Sequence, residues 1–453
     1  MAYGYFWSAP QLVYNGRCER SRFGPDRNNN LWCIFNLQDT ISWEYFIKAC
    51  RYDTIWSAPI DVYSGLQASS VGGLDVVRAK NGKMWMLSSD ESSPVSPPHI
   101  TMYYDGSVWS DTFVILGFTD WHLASDSIGQ VWALFVGSED CHIWYDMCVD
   151  TTWTGPYIVC TYPTYDQVMS SNITVGPQGT RWAGGTAYTT SGYQIFLTYS
   201  DTNGTWTDSL IMGPRISHIP GGKLSDLISD NLGNIWIAWN DDSLGSYYAA
   251  YLDTNRNWSP YYQLTHYSSG TIAWGACKIT VDRENKIWVV YDKDSNFYYR
   301  VWDGNIWSQE DSIVSSPARA VRDGDIFYDA TRNRIWLSFK YGTAIADSLY
   351  VVWADPSQNI SEKEKIATNL DISIFPNPVK GKLNIDFYLY KRINLRIMLY
   401  DVVGRLEKTI YSGKAGVGFF KKSIVINELP KGIYFLYIED GNNYKVEKVV
   451  ILK

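Results

Sequence analysis

One phrase recurs seven times and dictates what this chain can fold into. It is a Gly or Asn turn, then a Trp three residues on, then a short apolar run. The copies read NNNLWCIFN, KNGKMWMLS, SIGQVWALF, PQGTRWAGG, NLGNIWIAW, RENKIWVVY and TRNRIWLSF, with Trp at 32, 85, 132, 182, 236, 288 and 336. Successive Trp lie 47 to 54 residues apart. Three residues before them stand Asn29, Gly82, Gly129, Gly179, Gly233, Asn285 and Asn333. Gly and Asn are the residues that tolerate a positive φ, so each unit has a tight hairpin at a fixed place.

A second line follows in each unit: an aromatic-rich strand ending in Asp, a short turn and another Trp. The Asp residues are 53, 105, 150, 201, 253, 303 and 355, but only six Trp follow, at 56, 109, 153, 206, 258 and 307. The seventh matching phrase is FWSAP at residues 6–10, which opens the chain. Repeated units of four short strands around an axis form a β-propeller. The expected fold is therefore all-β: a seven-bladed propeller over residues 1–355, closed when the last unit borrows the N-terminal strand.

The first strand of each unit offers an independent check. Nine residues before each repeat Trp stand Phe23, Val76, Leu123, Ile173, Leu227, Ile279 and Phe327, all apolar. Ten residues before stand Arg22, Asp75, His122, Asn172, Asp226, Lys278 and Ile326, six of them polar. Neighbours on a strand face opposite ways. The apolar set should pack between blades, and the polar set should line a central channel.

Composition narrows the partners. The net charge is −8 and no basic tract is present, which argues against nucleic acid and against an anionic membrane surface. No apolar run is long enough for a transmembrane helix, and residues 1–15 do not read as a signal peptide. The seven Cys (18, 33, 50, 141, 148, 160 and 277) show no CxxC spacing for zinc, and an odd number excludes a complete disulfide framework. Cys33 and Cys50 can face each other across a hairpin. No cofactor and no metal is expected.

Past Asp355 the composition changes. PSQNISEKEKIATN reads as a linker, spanning 356–369. Residues 370–453 then alternate strands with Gly, Pro and Asn turns, which fits a small antiparallel sandwich. FPNP at 375–378, YDVVGR at 400–405, LPKGIY at 429–434 and the terminal KVVILK stand here in order. This segment resembles the C-terminal sorting domain of type IX secretion cargo. The resemblance implies an immunoglobulin-like sandwich, recognition by the type IX machinery, and release from, or display on, the outer surface of a Gram-negative bacterium. It supplies an address and no activity.

The chemistry is less specific. D-x-x-G-x-x-W at 126–132 and 230–236 distantly resembles the Asp-box repeat of sialidases, with the Asp one residue further from the Gly; both are turn devices without catalysis. The repeat Trp and the turn Asp read as packing and turn residues. What remains clusters on the loops leading into the first strands and on the channel: Arg22, Asp75, Trp121, His122, Asp226, Trp274 and Lys278. Rings beside charged forks suit carbohydrate, since sugar C–H faces stack on rings and hydroxyls bond charged groups. A secreted or surface-displayed binding propeller for a glycan or surface polymer is the first expectation. A polysaccharide lyase or glycosidase, with His122 and Asp75 or Asp226 as an acid/base set, is the alternative. A self-associating adhesion or surface-layer protein is the third.

Overall fold

The computed structural model describes residues 4–16, 18–38, 44–65, 71–90, 99–115, 119–136, 141–162, 167–189, 192–201, 204–207, 209–216, 223–241, 246–266, 277–293, 296–315, 324–343, 346–360, 373–389, 392–402, 405–439 and 444–452. Among these residues the regular structure is strand throughout. Two compact units emerge: Pro10–Asp311 with Pro317–Ser357, and Gln358–Lys453 with Met1–Ala9 and Ser312–Ser316.

The larger unit is propeller-like. Six four-stranded antiparallel sheets have as first strands Arg20–Pro25, Val71–Arg78, Thr119–Ser125, Val168–Val175, Lys223–Ser229 and Cys277–Val281. In one further sheet Ile326–Asp329, Arg334–Thr343 and Ala346–Ile360 are joined by Gln11–Tyr14. There Gln11 lies opposite Val351, Leu12 opposite Tyr350 and Tyr14 opposite Leu349. Each first strand lies beside the first strand of the next sheet, and Ile326–Asp329 lies beside Arg20–Pro25.

The hairpins after the first strands obey the repeat. Asn29, Gly82, Gly129, Gly179, Gly233, Asn285 and Asn333 all have φ between 51° and 97°. In four of them an Asp organises the turn. Asp126 Oδ1 accepts the N–H groups of Ile128, Gly129 and Gln130, and its Oδ2 accepts the Trp132 indole N–H at 3.0 Å. Asp26, Asp230 and Asp282 take the indole N–H of Trp32, Trp236 and Trp288 in the same way. The motif thus ties a turn to a buried ring. The Asp of the second line are turn residues too: Asp105 and Asp303 accept backbone N–H groups two and three residues ahead.

Adjacent sheets are glued by aromatic pairs. Trp32 meets Trp109 of the following sheet at 6.3 Å, Trp85 meets Trp153 at 5.7 Å, Trp132 meets Trp206 at 6.3 Å and Trp236 meets Trp307 at 5.9 Å. Trp336 of the last sheet meets Trp56 of the first at 5.8 Å, edge to face. Such pairs stabilise beyond the area they bury. Phe23, Leu123, Ile173, Leu227 and Ile279 all enter these inter-sheet cores, as strand alternation requires.

The last sheet departs from the repeat by one residue. In the other sheets the repeat Trp pairs with the residue eight before it, as Trp32 does with Gly24 and Trp288 with Thr280. Trp336 pairs with Phe327, nine before it, because the hairpin from Asp329 to Arg334 is one residue longer. Ile326 is therefore the buried residue here, and Asp325, not Ile326, takes the polar position. Asp329 is also too far back to reach the indole; it pairs with Arg332 at 2.9 Å, and the buried Trp336 N–H is left without a partner.

In the smaller unit, Ser373–Phe375, Lys382–Leu389 and Gly418–Val425 form one sheet, and Leu406–Ala415, Ile393–Asp401, Gly432–Glu439 and Tyr444–Ile451 form another. Leu383, Ile385 and Phe387 of the first pack against Leu395, Ile397, Leu399, Leu436 and Ile438 of the second in one core. The sequence motifs act as local fasteners. Asn377 donates to Lys448 O (2.7 Å) and accepts the Val450 N–H (2.9 Å), pinning the last strand. Arg405 folds back on Asp401 at 2.7 Å, and the Tyr434 hydroxyl donates to Pro430 O.

Candidate functional site

The polar residues of the first strands come together. Arg22, Asp75, His122, Asn172, Asp226 and Lys278 occupy equivalent places, each opposite the residue two beyond the repeat Trp. Asp325 completes the set, since Ser338, two beyond Trp336, donates its N–H to Asp325 O. Sequence spacing missed Asp325 because the longer hairpin displaced it by one.

These groups satisfy one another in two clusters. Asp75 stands between Arg22 (3.8 Å) and His122 (3.5 Å). Asp226 stands between Asn172, which donates at 3.3 Å, and Lys278 at 3.9 Å. Three carboxylates also clasp the neighbouring sheet. Asp75 accepts the Leu123 N–H at 2.7 Å, Asp226 the Ile279 N–H at 3.0 Å, and Asp325 the Phe23 N–H at 2.9 Å. Asp75 and Asp226 each cap the next N–H of their own strand as well, from Val76 and Leu227. Nothing in the sequence signals these clasps, because donor and acceptor lie about 50 or 300 residues apart and meet only in the fold.

Electrostatics follow from this geometry. Burial works against the Asp75 carboxylate, but His122, Arg22 and the Leu123 N–H outweigh it and hold the group below its ordinary range. Asp325 is pushed up to about 6 by burial, against the pull of Arg22 and Lys278. The carboxylates of the ring thus have structural work, while His122 and Lys278 are held in place by them. Replacing Asp226 with Ala should strand the Leu227 and Ile279 N–H groups and lower stability by about 2–3 kcal/mol, read by urea unfolding. A loss no larger than that of an exposed Asp would contradict the clasp.

Of the other sequence candidates, Trp121 lies on the strand Thr119–Ser125, and its side chain is outside the described residues. Trp274 also lies outside them. Among the described residues no group of three or more His, Cys, Asp or Glu is placed to hold a metal.

One strongly perturbed carboxyl lies outside this ring. Asp146, opposite Ala133 in the third sheet, is buried, and burial alone pushes it up to about 7. Gly155 lies directly over it: a Cβ there would sit 1.9 Å from Asp146 Oδ1. A folded-state value above the ordinary 3.8 means the fold prefers the protonated acid. Stability from this group is present at low pH and lost as pH rises through about 7. Asp146→Asn should therefore raise Tm at pH 8, by up to about 4 kcal/mol of stability, with the gain fading toward pH 4. Equal gains at both pH values would contradict this.

Residues 373–452 match the secretion system C-terminal sorting domain family. Residues 373–452 are a type IX sorting domain. The sorting domain carries the expectation of export to the cell surface or beyond. No curated protein matches the sequence. Among solved structures, an ulvan lyase of a new polysaccharide lyase family is 12% identical with a TM-score of 0.52, over 78% of this chain and 97% of that one. An α-L-arabinanase of Penicillium chrysogenum is 10% identical at 0.44, over 76% and 98%. PorZ, a surface component of the type IX system of Porphyromonas gingivalis, is 12% identical at 0.36, over 96% and 70%. At such identities the likeness is one of fold. Among the described residues no helix is long and apolar enough to cross a membrane.

Proposed function

We propose that residues 1–355 are a seven-bladed β-propeller closed by the N-terminal strand, joined by a linker at 356–369 to the sorting domain, and that this propeller binds a glycan or another surface polymer outside the cell. The sorting domain at 373–452 carries the reading, because it directs the chain to where such polymers are. Supporting the closed ring are the first strands that follow one another back to the start and the pairing of Gln11–Tyr14 with the last sheet. Supporting the ligand class is the channel set of Arg22, Asp75, His122, Asp226 and Lys278, whose cations and imidazole are fixed by carboxylates, as hydroxyl recognition requires. The ulvan lyase of like fold was solved with a uronic-acid and sulfated-rhamnose repeat bound.

The His122–Asp75 pair at 3.5 Å favours a second reading, a polysaccharide-degrading enzyme with His122 as acid/base. A glycan array run beside assays for new reducing ends and unsaturated products separates the two. Saturable binding without product is expected. Product formation would make the enzyme reading correct. Absence of binding to every glycan, with self-association instead, would turn the account toward an adhesion protein.

A further inference from the structure

Three cysteines meet in the core between the last sheet and the first. Cys18, Cys33 and Cys50 are all buried there with Val13, Leu349 and Val351. Cys33 and Cys50 are direct partners across the second and third strands of the first sheet. Directly opposed residues in an antiparallel pair have Cα atoms about 4.5–5.5 Å apart. A disulfide accepts Cα separations of about 4.4–6.8 Å, so the bridge forms without moving the backbone. Their side chains share one face, as register demands. In the structure all seven cysteines are thiols.

The sorting domain sends this chain out of the cytoplasm, where disulfides form and persist. We propose that Cys33 and Cys50 are a disulfide-forming pair, oxidised by a dithiol-disulfide donor as the exported chain folds, and that Cys18 stays a thiol beside them. The chemistry balances. One thiolate of the pair attacks a sulfur of the donor disulfide and releases one donor thiol. The other then attacks the mixed disulfide, forming the Cys33–Cys50 bond and releasing the second donor thiol. The protein loses two protons and two electrons; the donor gains them.

Timing follows from burial. Both residues are inaccessible once the first and last sheets pack together. Oxidation therefore precedes that packing, and the bond afterwards resists reductant until the core opens. Burial also pushes the Cys50 thiol up to about 12, and Cys33 well above its usual range, so in the folded core neither reacts as thiolate.

The test uses the full chain refolded with oxidised and reduced glutathione, then denatured with an alkylating agent and no reductant. Of seven cysteines, five should label, and peptide mapping should find Cys33 joined to Cys50. Cys18→Ser should label at four and keep the bridge; Cys33→Ala should label at six. Reducing the unfolded parent before refolding should lower its Tm against the oxidised form. Seven labelled thiols in the parent, or a bridge that includes Cys18, would overturn the assignment. Mapping of the parent decides the matter even where a variant fails to fold.

Discussion

A chain lacking residues 1–13 should aggregate or melt far below the parent. Those residues bring Val13 into the core beside Phe35, Leu349 and Val351, and their strand covers the edge of Ala346–Ile360. Without them a row of unpaired N–H and C=O groups and an apolar flank face solvent, which templates edge-to-edge association. Size-exclusion chromatography and a thermal melt give the answer. A monomeric deletion variant with an unchanged Tm would refute closure by the N-terminal strand.

Trp336→Ala should cost about 3–5 kcal/mol, the loss expected for a large ring removed from a close-packed core. Trp336 is fully buried and touches Trp56 (5.8 Å), Tyr52 (4.7 Å) and Phe23 (6.4 Å) of the first sheet from its place in the last. The same substitution therefore weakens the contact between the two ends of the array. Ile55→Ala, at a side chain 76% exposed, is the control and should change stability by less than about 0.5 kcal/mol. Guanidinium unfolding of the three proteins measures both. Equal midpoints would mean that the last and first sheets do not depend on each other.

The all-β repeat of four-stranded sheets was legible in the sequence because its causes are local. A hairpin that needs a positive φ selects Gly or Asn, and all seven such positions behave accordingly. A strand buried on one side alternates, so Leu123 and Ile279 enter the inter-sheet cores while their neighbours His122 and Lys278 join the ring of ion-paired groups. FPNP and LPKGIY were legible as a sorting signature, and the structure supplies their reason in the bonds of Asn377 and Tyr434. The site was less legible because its determinants are distant. Asp325 was hidden by a single extra residue after Asp329, which slid the last strand pair by one. The clasps from Asp75, Asp226 and Asp325 join different sheets, and no spacing rule announces them. Asp146 reads as an ordinary polar residue in a strand until burial beneath Gly155 sets its chemistry.

The clasps also redistribute roles within the site. Asp75 and Asp226 spend their lone pairs on backbone N–H groups and on Arg22, His122, Asn172 and Lys278, so in the proposed site these neighbours, not the carboxylates, are the groups left to meet a ligand. A substitution at either carboxylate should lower stability through the lost clasps, whereas one at His122 leaves the backbone clasps of Asp75 in place and should cost less.

The most direct test of a polymer site on the lead-in-loop side is therefore a paired one. Binding of an array-selected glycan is measured by calorimetry for the parent, Trp121→Ala, His122→Ala and Ile128→Ser. Ile128 is 69% exposed in the hairpin turn held by Asp126, at the far end of the same strand pair. Trp121→Ala and His122→Ala should each weaken binding by about 1–3 kcal/mol, roughly fivefold to a hundred-and-fiftyfold in Kd, with a smaller loss of stability than Asp226→Ala shows. Ile128→Ser should bind as the parent does. The reverse pattern, with Ile128→Ser losing affinity while Trp121→Ala and His122→Ala keep it, would place the ligand on the opposite face and contradict the proposed site.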